Sequence, residues 1–302
     1  MASRQKRLLL TIDGSERALQ TVKYAGEEDA FKGMKIVLFH VFHSIPDAYY
    51  DLEREPKSVK VVTNVRSWEA QQKKNIRTYM DNAQQMLVDC GHAEPAVEIK
   101  IQNRKKGVAR DIIIEAQQGY DAVMARRRGF TDLTHIIVGS VTNKLLEKLT
   151  FIPILLAGRK PVNKKVLLAV DGSLCASRAV HFVAETLRSL KDYRLLLVHV
   201  IRGGTPDAEV LEEDGIAESR PVFKDAIDIL TAAGIDWNNI STKTITGVLS
   251  RAGAIVNTAE EGDWGTIVAG RRGLSHVSEF FMGSVSNKLV HLGRMHTVWI
   301  VT

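Results

Sequence analysis

Residues 270–273 of this chain read Gly-Arg-Arg-Gly, and nine residues later 283–288 read Gly-Ser-Val-Ser-Asn-Lys. A second copy of this pattern lies earlier in the chain. There, 126–129 read Arg-Arg-Arg-Gly and, after the same nine-residue spacer, 139–144 read Gly-Ser-Val-Thr-Asn-Lys. The repetition predicts that the chain consists of two copies of one module.

The length and composition agree with two folded domains. A chain of 302 residues suits two domains of about 150 residues each, and 45% hydrophobic residues are typical of a packed protein. The net charge of +6 is compatible with binding anions but does not by itself indicate nucleic acid. We therefore expect no nucleic-acid partner.

The cysteines and the hydropathy pattern indicate in which cellular compartment the protein is expected. Cys90 and Cys175 occupy unmatched places in the two copies, so no disulfide framework or metal-binding spacing is visible. No apolar run approaches the roughly 18–20 residues that span a bilayer. We expect no membrane association and a cytoplasmic location.

Apolar runs and helical patterns alternate in the same order in both copies. Each copy opens with an apolar run that ends in Asp-Gly-Ser, at 13–15 and at 171–173. The later runs pair as 36–42 with 195–201, 97–101 with 240–245, 122–125 with 266–269, and 154–156 with 298–301. The alternation within 97–101 predicts an outer strand with one wet face.

This order predicts an α/β fold made of two doubly wound, Rossmann-like parallel-sheet domains in tandem. We place the first half at residues 1–157 and the second half at 162–302, and the short linker between them predicts that they pack together. The first half carries an insertion within 47–68, whose Tyr49, Tyr50 and Trp68 would pack a lid or the domain pair.

The glycine pattern has the chemistry of a phosphate cradle. Ligands of doubly wound sheets bind beyond the carboxyl ends of the strands, and the 270–273 segment directly follows a predicted strand. Glycines there would allow a positive φ and a close approach to a ligand. Ser284 stands at or near the start of a helical pattern, and a helix N-terminus with the hydroxyls of Ser284 and Ser286 would bind an anion.

Two further residue types near the cradle allow more than one interpretation. Asp171 ends the first strand of its half, and because a carboxylate repels phosphates we expect it to face the adenine or ribose end of a ligand. The same Asp-Gly-Ser segment would also serve simply as a helix N-cap. Arg271 and Arg272 would reach a γ-phosphate or remain solvated in the loop.

These residues resemble the universal stress protein family, in a tandem form that covers nearly the whole chain. The family's ATP-binding members carry Gly-x-x-Gly, nine residues and then Gly-Ser or Gly-Thr, which Gly270, Gly273, Gly283 and Ser284 match fully. The family's first-strand aspartate corresponds to Asp171 and Asp13, and its adenine-edge residue on the second strand corresponds to Val200 and Val41. Val285 and Ser286 match the continuation of the phosphate loop.

The resemblance implies five-stranded parallel sheets, a pairing of the two halves through their last strands, a role in stress resistance, and binding of ATP. We expect Mg²⁺ to accompany the triphosphate. In the second half we expect the nucleotide to contact Ala169, Asp171, Val200, Ala269, Gly270, Arg271, Gly273, Gly283, Ser284, Val285 and Ser286. A weaker second site in the first half would use Asp13, Val41, Gly129, Gly139, Ser140, Val141 and Thr142.

The first half departs from the family pattern at one position, where Arg126 replaces the first glycine. A required positive φ there would cost on the order of 1 kcal/mol or more, and the long side chain would either fill the phosphate pocket or pair with phosphate. We therefore expect strong ATP binding by the second half and weak or no binding by the first.

No residue pattern indicates a catalytic base, and we expect no catalytic residues and at most slow ATP hydrolysis. His40 and His199 recur at one place in the second strand, where a hydrogen-bonded strand histidine is favoured over a nucleotide-facing role. The preferred function is a nucleotide-dependent switch that acts on an unidentified protein partner, with a homodimer as a further possibility. An adenylyl- or phosphoryl-transferring enzyme and an ATP-independent interaction scaffold remain alternatives.

Overall fold

Strands and helices alternate along the chain in a computed structural model that describes residues 4–44, 59–127, 139–188, 190–202, 220–274 and 282–302. The strands are β1 (Arg7–Thr11), β2 (Lys35–Phe42), β3 (Val97–Asn103), β4 (Ala122–Arg126), β5 (Ile154–Ala157), β6 (Lys165–Ala169), β7 (Arg194–Arg202), β8 (Ile240–Val248), β9 (Thr266–Gly270) and β10 (Thr297–Val301). The helices are α1 (Glu16–Glu27), α2 (Val59–Asp89), α3 (Val108–Ala116), α4 (Ser140–Lys148), α5 (Leu174–Leu187), α6 (Arg220–Ala232), α7 (Arg251–Glu261) and α8 (Ser284–Leu292).

The strands form one continuous sheet in the order β3-β2-β1-β4-β5-β10-β9-β6-β7-β8. Neighbouring strands are parallel within each half, and β5 and β10 pair antiparallel with Leu155 opposite Trp299. Each half therefore contributes five parallel strands, and their last strands join edge to edge as the resemblance implied. The strands β3 and β8 lie at the two outer edges, where the alternating pattern of 97–101 placed an outer strand.

Helices cover both faces of this sheet because successive residues of a strand point to opposite sides. Leu8 and Leu10 face a core that is closed by α1, α2, α5 and α6. Leu9 faces a second core, which is closed by α3, α4, α7 and α8. Burial on both faces explains why the strands read as nearly continuous apolar runs, and it confirms the doubly wound α/β fold.

The first of these cores runs without interruption across the junction of the halves. The indole ring of Trp299 lies 5.9 Å from the ring of Phe31 in the first half and 5.8 Å from that of Phe182 in the second. Aromatic pairs at such distances add to the energy of burial. The two halves are thus packed against each other, as the short linker predicted.

The insertion of the first half contributes to the long helix α2. Trp68 lies on α2 and leaves 53% of its surface exposed, so a role in packing a lid or the domain pair stays a prediction. Tyr49 and Tyr50 lie outside the described residues. Among the residues that the structure describes, no helix combines the length and the hydropathy that crossing a membrane requires.

Candidate functional site

A cavity of about 280 Å³ opens at the carboxyl ends of β6 and β9 in the second half. These strands are neighbours in the sheet although β7 and β8 come between them in sequence, so the cavity lies where the strand order reverses. The predicted contacts that line it are Ala169, Asp171, Val200, Ala269, Gly270, Gly273, Gly283, Ser284, Val285 and Ser286.

The glycines of the loop permit close packing rather than an unusual backbone conformation. A Cβ at Gly270 would lie 2.5 Å from the carbonyl carbon of Cys175 and 2.7 Å from the backbone nitrogen of Ala176, in the first turn of α5. A Cβ at Gly273 would lie 2.5 Å from Oδ2 of Asp171. None of Gly270, Gly273 and Gly283 has a positive φ, so the expected left-handed turn was wrong.

The helix α8 presents its N-terminus to the cavity. Gly283 is the N-cap, and because it has no side chain no hydroxyl caps the helix. Ser284 is the first helical residue, one position after the cap. The first turn of a helix leaves backbone N–H groups without intrahelical partners, and these groups together with the helix dipole favour an anion at this end.

The hydroxyl of Ser286 has a structural role that the sequence did not indicate. It donates to the backbone oxygens of Gly270, at 2.7 Å, and Arg271, at 3.0 Å. A hydroxyl carries one proton, and here that proton is donated to backbone oxygens of the protein. The expected donation from Ser286 to a phosphate oxygen is therefore not seen in this structure. This contact holds the loop after β9 against α8. In the first half, the hydroxyl of Thr142 on α4 donates to the backbone oxygen of Arg126 at the end of β4.

The segment that ends β6 forms the helix N-cap that its sequence allowed. Ser173 caps α5 by accepting from the backbone N–H of Ala176, and Oδ1 of Asp171 accepts from the backbone N–H of Ser173 at 3.0 Å. Gly172, with a φ of 77°, is the residue here that does need left-handed backbone. The cap and the turn hold the Asp171 carboxylate at the cavity wall.

Arg271 lies elsewhere than expected. Its side chain is 3% exposed and does not line the cavity. The guanidinium crosses to the first half and donates to the backbone oxygens of Leu146, Leu149 (3.0 Å) and Glu147 (3.2 Å). Arg272 is the arginine of this loop that lines the cavity.

The residues that line the cavity without having been predicted as contacts include His199, Arg251 and Ile255. Nδ1 of His199 lies 2.7 Å from the backbone oxygen of Val170, so this histidine is hydrogen bonded to the strand as favoured, and it also borders the cavity. Arg251 and Ile255 come from the first two turns of α7. Their positions follow from topology, since α7 begins at the same sheet edge after β8.

The first half has a matching cavity of about 330 Å³, and Arg126 reaches into it. Asp13, Val41, Gly139, Ser140, Val141 and Thr142 line this cavity, whereas Gly129 lies outside the described residues. Nη1 of Arg126 donates to Oγ of Ser15 at 3.1 Å and lies 3.7 Å from Oδ2 of Asp13. The backbone of Arg126 has no positive φ, so the strain considered for this position is absent.

The charge balance of the two cavities therefore differs. In the first half a guanidinium already accompanies the strand-end carboxylate. In the second half Gly270 leaves that space open, and Arg251 and Arg272 border the cavity from other elements. Burial lowers the pKa of His40 at the first cavity, which favours its neutral form.

Comparison with known proteins gives consistent matches along the whole chain. The sequence model of the universal stress protein family matches residues 5–156 and 163–301. A universal stress protein of Mycolicibacterium smegmatis is 24% identical over 204 residues, which span 66% of this chain and 66% of that protein.

Two solved structures resemble the fold over both halves. A universal stress protein from Archaeoglobus fulgidus DSM 4304 has a TM-score of 0.66 at 20% identity, and the match covers 99% of each chain. A putative universal stress protein from Pseudomonas aeruginosa UCBPP-PA14 has a TM-score of 0.59 at 15% identity, covering 99% of this chain and 93% of that one.

Proposed function

The chain belongs to the universal stress protein family, and from this premise we propose that its second half binds ATP in the cavity between β6 and β9. One observation carries the proposal. A glycine-built loop, a helix N-terminus and a strand-end carboxylate converge on a single cavity of about 280 Å³. This combination offers an anion site at one side and a hydrogen-bond acceptor at the other.

The phosphates and the adenosine of the nucleotide contact different walls of the cavity. The phosphates lie against Gly273, Gly283 and the first turn of α8, where backbone N–H groups and the helix dipole favour negative charge. The adenosine lies against Asp171 and Val200. A carboxylate repels phosphates, whereas it accepts hydrogen bonds from a ribose hydroxyl or the adenine amino group.

The residues around the cavity fit Mg²⁺ only as a companion of the phosphates. Among the residues that the structure describes, no group of three His, Cys, Asp or Glu side chains would hold a metal ion. In nucleotide sites Mg²⁺ is held largely by phosphate oxygens and water. The metal in this proposal therefore arrives with ATP.

The first half binds ATP weakly or not at all in this proposal. The Arg126 guanidinium sits between Oγ of Ser15 and Oδ2 of Asp13. It thereby occupies the acceptor that an adenosine would need. An incoming nucleotide has to displace this contact, which lowers its affinity.

Bound ATP acts as a switch in the stress response rather than as a substrate for rapid turnover. The loop after β9 and the start of α8 form the cradle, so a ligand that orders them changes the surface presented to a protein partner. No side chain at the cavity is assigned as a general base, and hydrolysis is expected to be slow or absent. The partner's identity, a homodimer and the cytoplasmic location remain predictions.

Calorimetric titration of Mg-ATP into the full chain tests the proposal. We expect one site per chain, with affinity lost when Asp171→Ala removes the acceptor. Two equivalent sites in the wild type would contradict the assigned difference between the halves. An absence of binding would favour an ATP-independent scaffold, and fast multiple turnover would favour an adenylyl- or phosphoryl-transferring enzyme.

The variant Arg126→Gly tests why the first half is weak. Removing the guanidinium frees Asp13 and Ser15, so we expect a second Mg-ATP site to appear in the same titration. Arg77→Gln, which removes an exposed arginine of α2 paired with Asp81, is the matched control and should leave the stoichiometry unchanged. A stoichiometry of one Mg-ATP in Arg126→Gly would show that a feature other than Arg126 prevents ATP binding by the first half.

A further inference from the structure

Arg127 and Arg271 occupy equivalent places in the two halves, each one residue after the strand that leads into its loop. The neighbouring positions, Arg126 and Gly270, differ between the halves, whereas the arginine that follows is present in both. The two arginines therefore share a role that is separate from the difference in the cavities.

Both guanidinium groups cross the junction between the halves. Arg271 donates to three backbone oxygens at the C-terminal end of α4. Arg127 donates in the opposite direction, with Nη1 placed 2.7 Å from the backbone oxygen of Gly293 at the end of α8. The last carbonyls of a helix lack intrahelical partners and carry the negative end of its dipole, so a cation there stabilises the helix.

The charge of Arg127 is buried, and its guanidinium makes one hydrogen bond, to the backbone oxygen of Gly293 at the end of α8. Burial, with Arg294 nearby, lowers the pKa of Arg127 to about 10, which leaves it charged at neutral pH. Within the part of the chain that the structure describes, no carboxylate lies within 4 Å of it. Its Nε and Nη2 have no hydrogen-bond partner there, whereas Arg271 spans three carbonyls.

The helices that receive these contacts are the ones whose opposite ends form the cavities. The N-terminus of α4 lines the first cavity and that of α8 lines the second. Each helix has nine residues, which corresponds to about 13 Å at 1.5 Å per residue. We expect a helix this short to respond as a single unit, so that a change at its C-terminal end alters its N-terminal end.

Arg271 also belongs to the loop that borders the second cavity. The backbone oxygen of Arg271 accepts from the N–H of Gly283 at 2.9 Å and from the hydroxyl of Ser286 at 3.0 Å. A ligand that fixes the second half's loop thereby fixes the residue that holds α4. The loop of the second half is thus connected to α4 of the first half, and Arg127, directly after β4, contacts the end of α8 in the reverse direction.

We infer that Arg127 and Arg271 are positioning residues that couple the two cradles, each holding from its own loop the helix that forms the opposite cradle. The identity of the ligand, ATP, rests on the proposed function. The positioning of α4 and α8 by the two arginines concerns the ligand-free protein alone. Coupling of this kind is reciprocal in free energy. The degenerate first half would then act on the ATP site of the second half through Arg127.

Amide hydrogen exchange in the ligand-free full chain tests the structural part. The N–H of Asn143 donates to Gly139 O and that of Asn287 to Gly283 O, so these amides report on the cradle ends of α4 and α8. We expect Arg271→Gln to accelerate exchange at Asn143, and Arg127→Gln to accelerate it at Asn287, by about fivefold or more. Arg77→Gln on the opposite face of the sheet is the control.

The inference is overturned if each substitution changes amide exchange only at the helix end that the arginine contacts. If exchange accelerates only at the last turns, at Leu149 and Gly293, the arginines are helix caps and nothing more. Arg127→Lys should restore most of the protection at Asn287, because a lysine also places a charge at the helix end and Arg127 makes a single hydrogen bond. Arg271→Lys should restore less, since one ammonium group cannot span three carbonyls.

Titration of Mg-ATP tests the functional part. Arg127 is one helix length from the second cavity and does not line it, yet we expect Arg127→Gln to weaken binding there by about fivefold. Wild-type affinity in this variant, with altered exchange at Asn287, would overturn the coupling while leaving ATP binding intact. A wild-type protein that binds no Mg-ATP would refute the proposed function, and the exchange measurements would still decide the positioning role.

Discussion

Gly270 and Arg126 stand at the same place in the two repeats, and their surroundings explain why one position excludes a side chain while the other carries a long one. At Gly270 the backbone of α5 approaches so closely that a Cβ would lie 2.5 Å from a carbonyl carbon. At Arg126 the corresponding space holds a side chain that extends to Ser15 and Asp13. One residue exchange thus accounts for a guanidinium that reaches into the cavity of the first half and is missing at the equivalent place in the second.

The substitution Gly270→Ala tests this close approach. Because the atoms that a Cβ meets belong to the backbone of Cys175 and Ala176, the helix start has to shift, and we expect the free energy of unfolding to fall by about 1–3 kcal/mol. Urea denaturation measures this loss. Arg126→Ala puts the same residue at the equivalent place, where a Cβ is already accommodated, and an equal loss there would contradict a steric cause.

At the scale of elements, the segment between β6 and α5 connects β6, the start of α5 and the loop after β9. Gly172 turns the chain with a φ of 77°, and Oγ of Ser173 then accepts from the N–H of Ala176. The same hydroxyl donates to the backbone oxygen of Arg272 at 3.3 Å. The N-cap of α5 therefore also holds the loop after β9 at the cavity.

The substitution Ser173→Ala removes both contacts. We expect a loss of about 1 kcal/mol in the free energy of unfolding, typical for an N-cap, and weaker Mg-ATP binding because the loop is less fixed. Urea denaturation and calorimetric titration measure the two effects. Ser177→Ala within α5 is the control, since alanine favours a helix interior; a stability loss of the same size in both variants would argue against a capping role.

At the scale of the whole molecule, polar contacts accompany the aromatic packing between the halves. Glu28, at the end of α1, is 1% exposed and accepts from the hydroxyls of Tyr24, at 3.2 Å, and of Tyr193 in the second half. Burial raises the pKa of the Glu28 carboxyl, and the hydrogen bond from Tyr193 opposes this shift. A titratable group thus lies within the contact that joins the halves.

The raised pKa of Glu28 predicts a pH dependence of stability. A folded-state pKa above the unfolded value of about 4.3 means that folding favours the protonated carboxyl. Its contribution is therefore present at low pH and lost as the pH rises through the folded-state pKa. We expect Glu28→Gln to remove this decline, because glutamine has no proton to lose. The free energy of unfolding is measured between about pH 4 and neutrality, in steps of about half a pH unit.

The control for this measurement is Glu27→Gln, which changes the same residue type at an exposed position of α1. Its difference from the wild type should not follow the same pH course. A constant difference between wild type and Glu28→Gln across the range would show that the carboxyl does not change its protonation on folding.

The sequence predicted most of the architecture because the signals that specify it are local. Apolar runs of strand length alternating with helical patterns indicate a parallel sheet buried on both faces, and the repeated glycine spacing indicated two such modules. The positions at the strand ends, such as Asp171 and Val200, could be assigned to one sheet edge because parallel strands end together. The division at residues 157 and 162 stays a prediction.

The roles of individual polar side chains could not be predicted in the same way. Arg271 and Ser286 carry groups that suit a phosphate, yet the structure directs one to the carbonyls of α4 and the other to the loop's own backbone. Arg251 was missed because the start of α7 reaches the cavity only through the packing of β8 beside β7. Donor chemistry is local, whereas the nearest acceptor depends on which elements pack together.

The sequence by itself determined the repeat, the strand-helix order and the glycine positions, since each depends on residues close together in the chain. Only the tertiary structure decided that Gly270 is needed for close approach rather than for its φ, that Arg126 reaches Asp13, and that Arg127 and Arg271 cross to the opposite half. These outcomes depend on distances between segments that are far apart in the chain, such as Arg271 and Leu149. The distances within a half are set by the packing of its own strands and helices, and those between the halves are set where β5 pairs with β10. No local pattern encodes either kind.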